Sequence, residues 1–416
     1  MKVLKVVGNQ KLSGSIRISG AKNSSVALIP ATLLGKGTNT LCNVPNILDI
    51  DVLENTLKYL NVAVKRASGS MLINTNNLEN KAIPPELSSR LRASYYFMAV
   101  LLAKFKYVEM AFPGGCEIGK RPIDQTLKAF RAYGAEVIER ENKIIVKANE
   151  LIGNIIKLDM PSVGATINAI LVGVLAKGKT VIENAAREPE ITDLCIMLNK
   201  MGANIEGYGT NTIEILGVEE LGSCNHDIIS DRIEAGTYTI IGALLGDRLK
   251  IDNIVPEHIK SLTDKLIDMG SKIEVHSDYL IISAAKLNKT NIETDYYPGF
   301  PTDLQQPFTT LLTQCQGKSK VLENIYENRF MNIPYLNKMG SNIEINKNVA
   351  IVNGPSKLKG CEVTATDLRA GASLLVASLV ADGKTVIKDI HHILRGYEEI
   401  VEKLTNVGAK IEIKEI

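Results

Sequence analysis

The chain has 416 residues, 45% of them hydrophobic and 23% charged, which is typical of a globular protein long enough for more than one core. A net charge of +2 is too small to favour nucleic acid or a membrane surface as a partner. The longest apolar run, residues 169–176, cannot span a bilayer, and the six cysteines form neither a metal-binding pattern nor a disulfide framework. We therefore expect a cytoplasmic protein that uses no metal or other cofactor.

In chain order, the predicted strands and helices belong to one unit that recurs along the sequence. A degenerate copy spans residues 37–62, and later copies share a strand beginning Gly-Lys-Thr-Val-Ile at 178–182 and 383–387, with a variant at 317–321. Each copy closes with a helix, a glycine and a strand, the pattern of a helix that ends in a left-handed residue. This glycine recurs about every 70 residues, at Gly134, Gly202, Gly270, Gly340 and Gly408.

Six units in two groups of three predict two similar α/β domains with a cleft between them. The period is longer than that of the common solenoid repeats. Periodicity alone leaves open an extended array of six units that acts as a scaffold without chemistry.

The first helix of each unit is predicted to begin at a polar turn, at residues 19–24, 90–94, 161–166, 231–237, 300–305 and 365–371. Helix N-termini present unpaired N–H groups and attract anions. Serine, threonine and aspartate in these turns are ordinary caps, but arginine there is opposed by the helix dipole. Lys22, Arg92, Arg232 and Arg369 therefore predict a site for phosphate and carboxylate groups.

A glycine-rich loop, residues 113–124, displays a single thiol, Cys116. Three glycines and two prolines disfavour regular structure in this loop, and its last residues are typical of a helix start. The neighbouring Lys120 and Arg121 favour a thiolate or an acid role for Cys116. The alternative is a surface loop with an incidental cysteine, since free cysteine is usually a small buried hydrophobe.

Over its full length the chain resembles the UDP-N-acetylglucosamine enolpyruvyl transferases, within the EPSP synthase family. The motifs that carry the resemblance lie at residues 20–24, 92–94, 113–124, 161–166, 183–190, 300–303, 327–330, 366–370 and 395–398. The resemblance implies an α/β fold, a two-domain inverted α/β barrel of six βαβαββ repeats with the helices inside. It implies one domain of residues 22–229, a second of residues 1–21 and 230–416, and an active site in the interdomain cleft.

The resemblance also implies a reaction: the enolpyruvyl group of phosphoenolpyruvate moves to the 3′-hydroxyl of UDP-N-acetylglucosamine, and phosphate is lost. This is the first committed step of peptidoglycan synthesis. Cys116 is then the proton donor and the target of the epoxide fosfomycin, Asp303 takes the hydroxyl proton, and Lys22 and Arg395 complete the catalytic set. The implied phosphoenolpyruvate contacts are Lys22, Asn23, Arg121, Arg329, Asp367, Arg369 and Arg395. The implied UDP-sugar contacts are Arg92, Arg121, Pro122, Ile123, Asp124, Gln125, Ser162, Val163, Gly164, Asp303 and Ile325.

Two further functions stay open beside this one. The first is an enolpyruvyl transferase that acts on another alcohol, against which the loop at 113–124 and the motif at 161–166 argue. The second is a catalytically idle paralogue that binds the UDP-sugar, against which the intact catalytic set argues. Near the expected uridine site, Gln125, Thr126 and Met160 depart from the usual family residues.

Overall fold

The computed structural model describes residues 2–114 and 123–415, which divide into two compact units. Unit 1 consists of residues 2–19 and 230–415, and unit 2 of residues 20–114 and 123–229. Along the chain, unit 2 is therefore inserted between two parts of unit 1. Each unit has its own hydrophobic core of aliphatic side chains.

Short strands make up most of the extended structure. The strands are β1 (Lys2–Val7), β2 (Ser15–Arg17), β3 (Thr38–Cys42), β4 (Ala63–Ala67), β5 (Ser70–Asn74), β6 (Tyr107–Ala111), β7 (Glu136–Arg140), β8 (Lys143–Lys147), β9 (Ile155–Lys157), β10 (Lys179–Glu183), β11 (Asn204–Glu206), β12 (Thr212–Leu216), β13 (Asn225–Asp227), β14 (Leu249–Asp252), β15 (Lys272–Val275), β16 (Tyr279–Ser283), β17 (Ile292–Glu293), β18 (Gly317–Leu322), β19 (Asn342–Asn346), β20 (Val349–Gly354), β21 (Glu362–Thr364), β22 (Lys384–Lys388) and β23 (Lys410–Glu415).

Helices alternate with these strands. The α-helices are α1 (Lys22–Ala31), α2 (Leu48–Tyr59), α3 (Pro85–Ser88), α4 (Tyr96–Phe105), α5 (Asp124–Ala132), α6 (Val163–Gly173), α7 (Pro189–Lys200), α8 (Arg232–Leu245), α9 (Lys260–Asp268), α10 (Thr302–Leu312), α11 (Ile333–Lys338), α12 (Leu368–Val380), α13 (His391–Leu394) and α14 (Ile400–Asn406). Short 3₁₀ helices lie at Thr32–Leu34, Arg92–Tyr95 and Pro256–Ile259.

The described strands form three sheets in each unit, and the strand order repeats from sheet to sheet. In unit 1 the orders are β21-β22-β1-β23, β15-β16-β14-β2 and β17-β18-β20-β19, and in unit 2 they are β13-β3-β5-β4, β11-β12-β10-β9 and β6-β8-β7. Each four-stranded sheet has one parallel edge strand beside a central strand, followed by two antiparallel strands. In the three-stranded sheet, a single parallel bridge from Ile83 to Met110 takes the place of the edge strand. The predicted six-fold α/β repeat is confirmed.

The helices that begin at the predicted polar turns are almost completely buried. In unit 1, α8, α10 and α12 contact one another, and in unit 2, α4 contacts both α1 and α6. Helix α6 is apolar nearly all round, as expected of a helix surrounded by protein. Within the part of the chain that the structure describes, no helix is long and apolar enough to cross a membrane.

Each copy of the repeat has a residue in the left-handed region of the Ramachandran plot after its second helix. The glycine after the second helix has a positive φ in each of the five copies in which the sequence carries it: Gly134 (88°), Gly202 (104°), Gly270 (99°), Gly340 (106°) and Gly408 (103°). In the degenerate first copy, Asn61 adopts the same conformation, with φ of 62°. Asparagine is among the few residues that adopt this region without a large cost.

An asparagine at the end of the central strand ties the edge strand in place. The Asn184 side chain donates a hydrogen bond to the Leu158 carbonyl (3.1 Å), and Asn43 donates to the Ile228 carbonyl (2.8 Å). Asn253 makes the same contact with the Ile18 carbonyl at 2.7 Å. The asparagine of the Gly-Lys-Thr-Val-Ile-Glu-Asn motif is therefore structural.

Gly202 allows the cost of its conformation to be measured without a steric clash. A Cβ at this position would have no atom within 4 Å, so only its φ of 104° opposes a side chain. We expect Gly202→Ala to lower the free energy of unfolding by about 1–2 kcal/mol, the usual cost of a left-handed alanine. Urea unfolding measures this change.

The matched control is Gly222→Ala in the same unit. Its backbone conformation is ordinary, and a Cβ would lie 3.7 Å from the nearest atom. This variant should be as stable as the wild type or slightly more stable. Equal destabilisation of the two variants would contradict the conformational explanation.

Candidate active site

The Asp303 carboxylate lies between two arginines of unit 1. Its Oδ2 accepts a hydrogen bond from Arg369 Nη2 at 2.8 Å, and its Oδ1 accepts one from Arg329 Nη2. The two arginine side chains are only 2% and 7% exposed, whereas the Asp303 side chain is 27% exposed. Two buried guanidiniums thus hold one carboxylate that solvent can still reach.

Three segments of unit 1 position these groups. Asp303 lies in the first turn of α10, and Arg369 is the second residue of α12. Arg329 follows β18, and its carbonyl accepts a hydrogen bond from Gln306 Nε2 (2.8 Å), which fixes its backbone against α10. The structure therefore brings together three of the predicted site residues that are far apart in sequence.

The carboxylate and the guanidiniums in this cluster stabilise each other's charged forms. Burial disfavours a charged Arg369, but the Asp303 carboxylate outweighs burial, and the pKa of Arg369 is raised. Two buried cations without an anion would be costly, so this pair favours the presence of a carboxylate. Paired guanidinium donors suit a planar carboxylate, which makes the arginines a candidate carboxylate-binding site.

Several predicted site residues cap the buried helices. Asp367 Oδ1 accepts hydrogen bonds from the backbone N–H groups of Arg369 (2.8 Å) and Ala370 (3.1 Å). Ser162 Oγ accepts one from Ala165 N (3.3 Å) at the start of α6. The second carboxylate oxygen of Asp367 is buried and has no hydrogen-bond partner among the described residues, so Asp367 retains one acceptor beyond its cap.

Arg395 follows α13 and is half-buried. Burial and the positive charge of Arg395 together lower the pKa of His392. The next residue, Gly396, lies so close to Leu368 that a Cβ would come within 2.7 Å of it. The Arg-Gly-Tyr motif is therefore packed directly against the start of α12.

Ile325 is held through a buried carboxylate that sequence reasoning missed. Glu323 Oε1 accepts hydrogen bonds from the backbone N–H groups of Ile325 (2.9 Å) and Tyr326 (3.2 Å). The Thr302 hydroxyl also donates to Glu323, at 3.0 Å. Glu323 thereby fixes this loop against the first turn of α10, next to Asp303.

In unit 2, two carboxylates face the predicted cationic and amide groups of α1. Lys22 Nζ lies 3.0 Å from Asp49 Oδ2, and Asn23 Nδ2 donates to Glu190 Oε1 at 3.4 Å. Asp49 and Glu190 are almost fully buried. In the sequence, the only sign of a role for Asp49 was its position in the first turn of α2. No local signal indicated that Glu190 would contact α1.

The loop that carries the thiol is anchored where the structure describes it. Arg92 Nη1 donates a hydrogen bond to the Pro113 carbonyl at 3.3 Å. Gly114 N donates to the Ser88 carbonyl (3.1 Å), and a Cβ on Gly114 would lie 1.9 Å from a backbone oxygen, so only glycine fits. The predictions for Cys116, Arg121 and Pro122 lie outside the described residues.

Gln125 links the start of α5 to the segment before α6. Its side-chain amide donates to Asp159 Oδ2 (2.8 Å), and its side-chain oxygen accepts from Asp159 N (2.9 Å). Gln125 also donates to the exposed Asp124 carboxylate at 3.0 Å. The backbone of Ile123 is fixed by a hydrogen bond from Leu127 N to its carbonyl (2.9 Å). The departure from the family pattern at Gln125 thus has a structural role.

An aromatic neighbour explains why residue 164, in the segment predicted to bind the nucleotide, is a glycine. A Cβ at Gly164 would lie 1.6 Å from the Tyr95 hydroxyl. The Tyr95 ring also stacks on Tyr96 and lies 5.9 Å from the guanidinium of Arg92. Val163, the first residue of α6, and Gly164 are half-buried, so the start of α6 is packed closely against the residues after Arg92.

Within residues 2–114 and 123–415, no three His, Cys, Asp or Glu side chains are grouped as ligands for a metal ion. The predicted site residues that the structure describes include cations, carboxylates and groups at helix N-termini. Such groups bind anions and transfer protons.

Comparison with known proteins gives concordant matches. The sequence profile of EPSP synthase (3-phosphoshikimate 1-carboxyvinyltransferase) matches residues 6–404. UDP-N-acetylglucosamine 1-carboxyvinyltransferase 2 of Bacillus subtilis is 48% identical over 413 residues, which cover 99% of this chain and 96% of that protein. The protein of the same name from Geobacillus kaustophilus is 46% identical over 412 residues, with the same coverage.

Solved structures show the same fold. The enolpyruvyl transferase NikO from Streptomyces tendae superposes with a TM-score of 0.90 and 26% identity, covering 99% of both chains. EPSP synthase from Acinetobacter baumannii gives a TM-score of 0.76 at 17% identity over both full chains, which speaks for the fold alone. The predicted inverted α/β barrel class is thus confirmed.

The arginine pair can be tested as a carboxylate-binding site without measuring turnover. Asp303→Ala should lower the melting temperature, because two buried guanidiniums lose their anion. Sodium oxalate should then raise the melting temperature of this variant by more than it raises that of the wild type, because no internal carboxylate competes. Thermal unfolding at constant ionic strength measures both effects.

The matched control is Asp252→Ala. The Asp252 side chain is 26% exposed and pairs with Lys250 at 2.9 Å and with Arg17 at 4.0 Å, so it resembles Asp303 in exposure, but its cationic partners are accessible to solvent and not buried. Oxalate should affect this variant and the wild type equally. An equal response to oxalate in all three proteins would exclude the arginine pair as a carboxylate site.

Proposed function

The chain belongs to the EPSP synthase family, and on that premise we propose that it transfers the enolpyruvyl group of phosphoenolpyruvate to UDP-N-acetylglucosamine in the cytoplasm. The observation that carries this proposal is the 48% identity over 413 residues with a relative named for that reaction. The sugar 3′-hydroxyl adds to the substrate and phosphate leaves. The product enters peptidoglycan synthesis.

Arg329 and Arg369 bind the carboxylate of phosphoenolpyruvate in this proposal. They already hold a carboxylate, that of Asp303, with a geometry suited to a planar anion. The substrate carboxylate takes the place of Asp303 on the two guanidiniums. In both states the two buried cations are paired with a carboxylate, which lowers the cost of burying their charge.

Displacement from the arginines prepares Asp303 to act as a base. While both of its oxygens accept hydrogen bonds from guanidiniums, the carboxylate is poorly suited to take a proton. Once the substrate occupies the arginines, Asp303 accepts the proton of the 3′-hydroxyl. Substrate binding thus activates the base, which limits proton transfer to the complex that contains phosphoenolpyruvate.

The remaining residues act in a reaction that consists of an addition followed by an elimination. The sugar oxygen forms a bond to C2 of phosphoenolpyruvate while Cys116 delivers a proton to C3. The Cys116 thiolate then takes a proton back from C3, which restores the double bond, and the C2–O bond breaks with its electron pair leaving on phosphate. Lys22, Arg121 and Arg395 stabilise the phosphate, which carries close to two negative charges, and Asn23 and Asp367 provide further polar contacts to the substrate.

We propose that the UDP-sugar is bound by the residues around the starts of α5 and α6 together with the Arg92 turn and the Ile325 loop. The Gln125–Asp159 hydrogen bonds and the Tyr95 contact of Gly164 support this assignment, because they hold the two helix starts in fixed conformations. The proposed contacts are Arg92, Arg121, Pro122, Ile123, Asp124, Gln125, Ser162, Val163, Gly164, Asp303 and Ile325.

The direct test is phosphate release from phosphoenolpyruvate. We expect release that requires UDP-N-acetylglucosamine and yields an enolpyruvyl UDP-sugar by mass spectrometry. Asp303→Ala should lower the rate by about 10²–10⁴, the usual effect of removing a general base, while Asp252→Ala keeps the wild-type rate.

The alternatives give different results in the same assay. Release with 3-phosphoshikimate but not with the UDP-sugar would indicate a transferase for another alcohol. Binding of the UDP-sugar without any release would indicate an idle paralogue. Either result would overturn the proposal.

The proposed role of Cys116 as proton donor can be separated from its role as a nucleophile. Cys116→Asp should retain measurable turnover with its optimum at lower pH, because a carboxyl group loses its proton at lower pH than a thiol does. Cys116→Ser should be nearly inactive, because a hydroxyl is too weak an acid. Phosphate release measured across the pH range distinguishes the variants.

Fosfomycin provides the second readout for Cys116. This epoxide should inactivate the wild type and spare Cys116→Asp, because a carboxylate is a much poorer nucleophile than a thiolate. Inactivation of the aspartate variant at the wild-type rate would show that the reactive group is another residue.

A further inference from the structure

Two neighbouring glutamines of α10 lie in the core of unit 1 and have different hydrogen-bond partners. Gln305 and Gln306 are both 0% exposed. Gln305 Nε2 donates to the Thr309 hydroxyl (3.0 Å), one turn further along the same helix. Gln306 Nε2 donates instead to the Arg329 carbonyl (2.8 Å), outside the helix. Burying an amide costs free energy, and for Gln306 the contact with Arg329 offsets that cost.

The acceptor determines the orientation of the Gln306 side-chain amide. A carbonyl oxygen can only accept, so the NH₂ end of the amide must face Arg329. The side-chain oxygen of Gln306 is buried and has no hydrogen-bond partner among the described residues. The contribution of this amide to the structure is therefore its donor to Arg329.

Arg329 lies in a turn, residues 327–332, between β18 and α11, which we call the Arg329 turn. At its far end, Asn332 Nδ2 donates to Ser373 Oγ of α12 at 2.8 Å. Ser373 Oγ is in turn hydrogen-bonded to the Thr310 hydroxyl of α10 at 2.7 Å. All of these side chains are buried. The Arg329 turn is thus fastened to α10 through the Arg329 carbonyl and to α12 through Asn332.

The Arg329 guanidinium donates hydrogen bonds to two neighbouring residues at the start of α10. Nη2 donates to the Asp303 carboxylate, and Nε donates to the Thr302 carbonyl at 3.4 Å. In the proposed exchange with substrate, only the Asp303 carboxylate leaves. The contacts of Arg329 with the Thr302 carbonyl and with Gln306 do not involve that carboxylate, so they can persist while Nη2 changes its partner.

We propose that Gln306 is a positioning residue for phosphoenolpyruvate: through the Arg329 carbonyl it holds the Arg329 turn against α10, so that the guanidinium stays in place while the substrate carboxylate replaces Asp303. The inference rests on the proposed function. A guanidinium on a fixed backbone loses less conformational freedom on binding than one whose turn must first be ordered. Gln306 therefore acts on substrate affinity through Arg329 and does not itself touch the substrate.

The test is Gln306→Met, which removes the hydrogen-bond donor and keeps a side chain of similar length. The Arg329 carbonyl then loses this partner, and the Arg329 turn is held less firmly. We expect the KM for phosphoenolpyruvate to rise about fivefold, the change that corresponds to one ordinary hydrogen bond. The kcat and the KM for UDP-N-acetylglucosamine should change less than twofold. Gln306→Leu should give the same result, so the test does not depend on one substitution.

Gln305→Met is the matched control. Gln305 is equally buried and also has a side-chain oxygen without a partner among the described residues, but its donor stays within α10. This variant should keep the wild-type KM for phosphoenolpyruvate within twofold. A similar rise in Gln305→Met, or an equal rise of both substrate KM values in Gln306→Met, would show that Gln306 serves only general packing and would overturn the proposal.

The oxalate effect on the melting temperature gives a readout that is independent of turnover. In the Asp303→Ala background, sodium oxalate should raise the melting temperature less when Gln306→Met is added than when Gln305→Met is added. This difference would support the role of Gln306 even if another alcohol is the acceptor. Failure of UDP-sugar transfer would overturn the proposed function, whereas equal oxalate responses of the two double variants would overturn the role of Gln306.

Discussion

Two guanidiniums buried in the interior of one unit require an anion, and this requirement organises the proposed site. Arg329 and Arg369 are nearly inaccessible to solvent, and the partly exposed Asp303 is the carboxylate with which both are paired. Burying two charges costs desolvation free energy, and only a close and well-aligned partner of opposite charge offsets that cost. Because the chain supplies this partner, the arginines are paired with an anion before any substrate binds, and in the proposed mechanism an incoming carboxylate exchanges with Asp303.

The repeat explains why such a site forms at helix starts. The central helices are buried on nearly all sides and apolar along most of their length, so their first turns are where polar groups find room. Asp231, Ser162 and Asp367 cap three of these helices, while Lys22 and Arg369 lie in the first turns of α1 and α12. The scaffold is the same in each copy, and the copies differ in which polar or charged groups lie at the helix start.

Much of this could be predicted from the sequence because the repeat carries local signals. The five glycines of the repeat have the left-handed backbone that their pattern indicates, and the buried helices begin at the predicted polar turns. Asn61 carries a weaker signal than the glycines, because asparagine adopts the left-handed region less readily than glycine does. The partners Asp49 and Glu190 were not predictable, since the contacts that select them join residues distant in sequence. Gly164 was assigned to nucleotide binding, and the structure adds a packing reason, the Tyr95 hydroxyl.

The position of the first strand has a consequence for biosynthesis. β1 lies between β22 and β23, so Leu4 pairs with Ile387 on one side and with Ile413 on the other. A ribosome makes this strand before all of unit 2 and makes its two neighbours after unit 2, and every strand of the unit 2 sheets has been made once Asp227 is incorporated. The inserted unit can therefore fold during translation, while β1 stays without its sheet partners until β22 and β23 have been made. Val3, Leu4 and Val6, which are buried in the finished sheet, are exposed to chaperones and to aggregation for that whole interval.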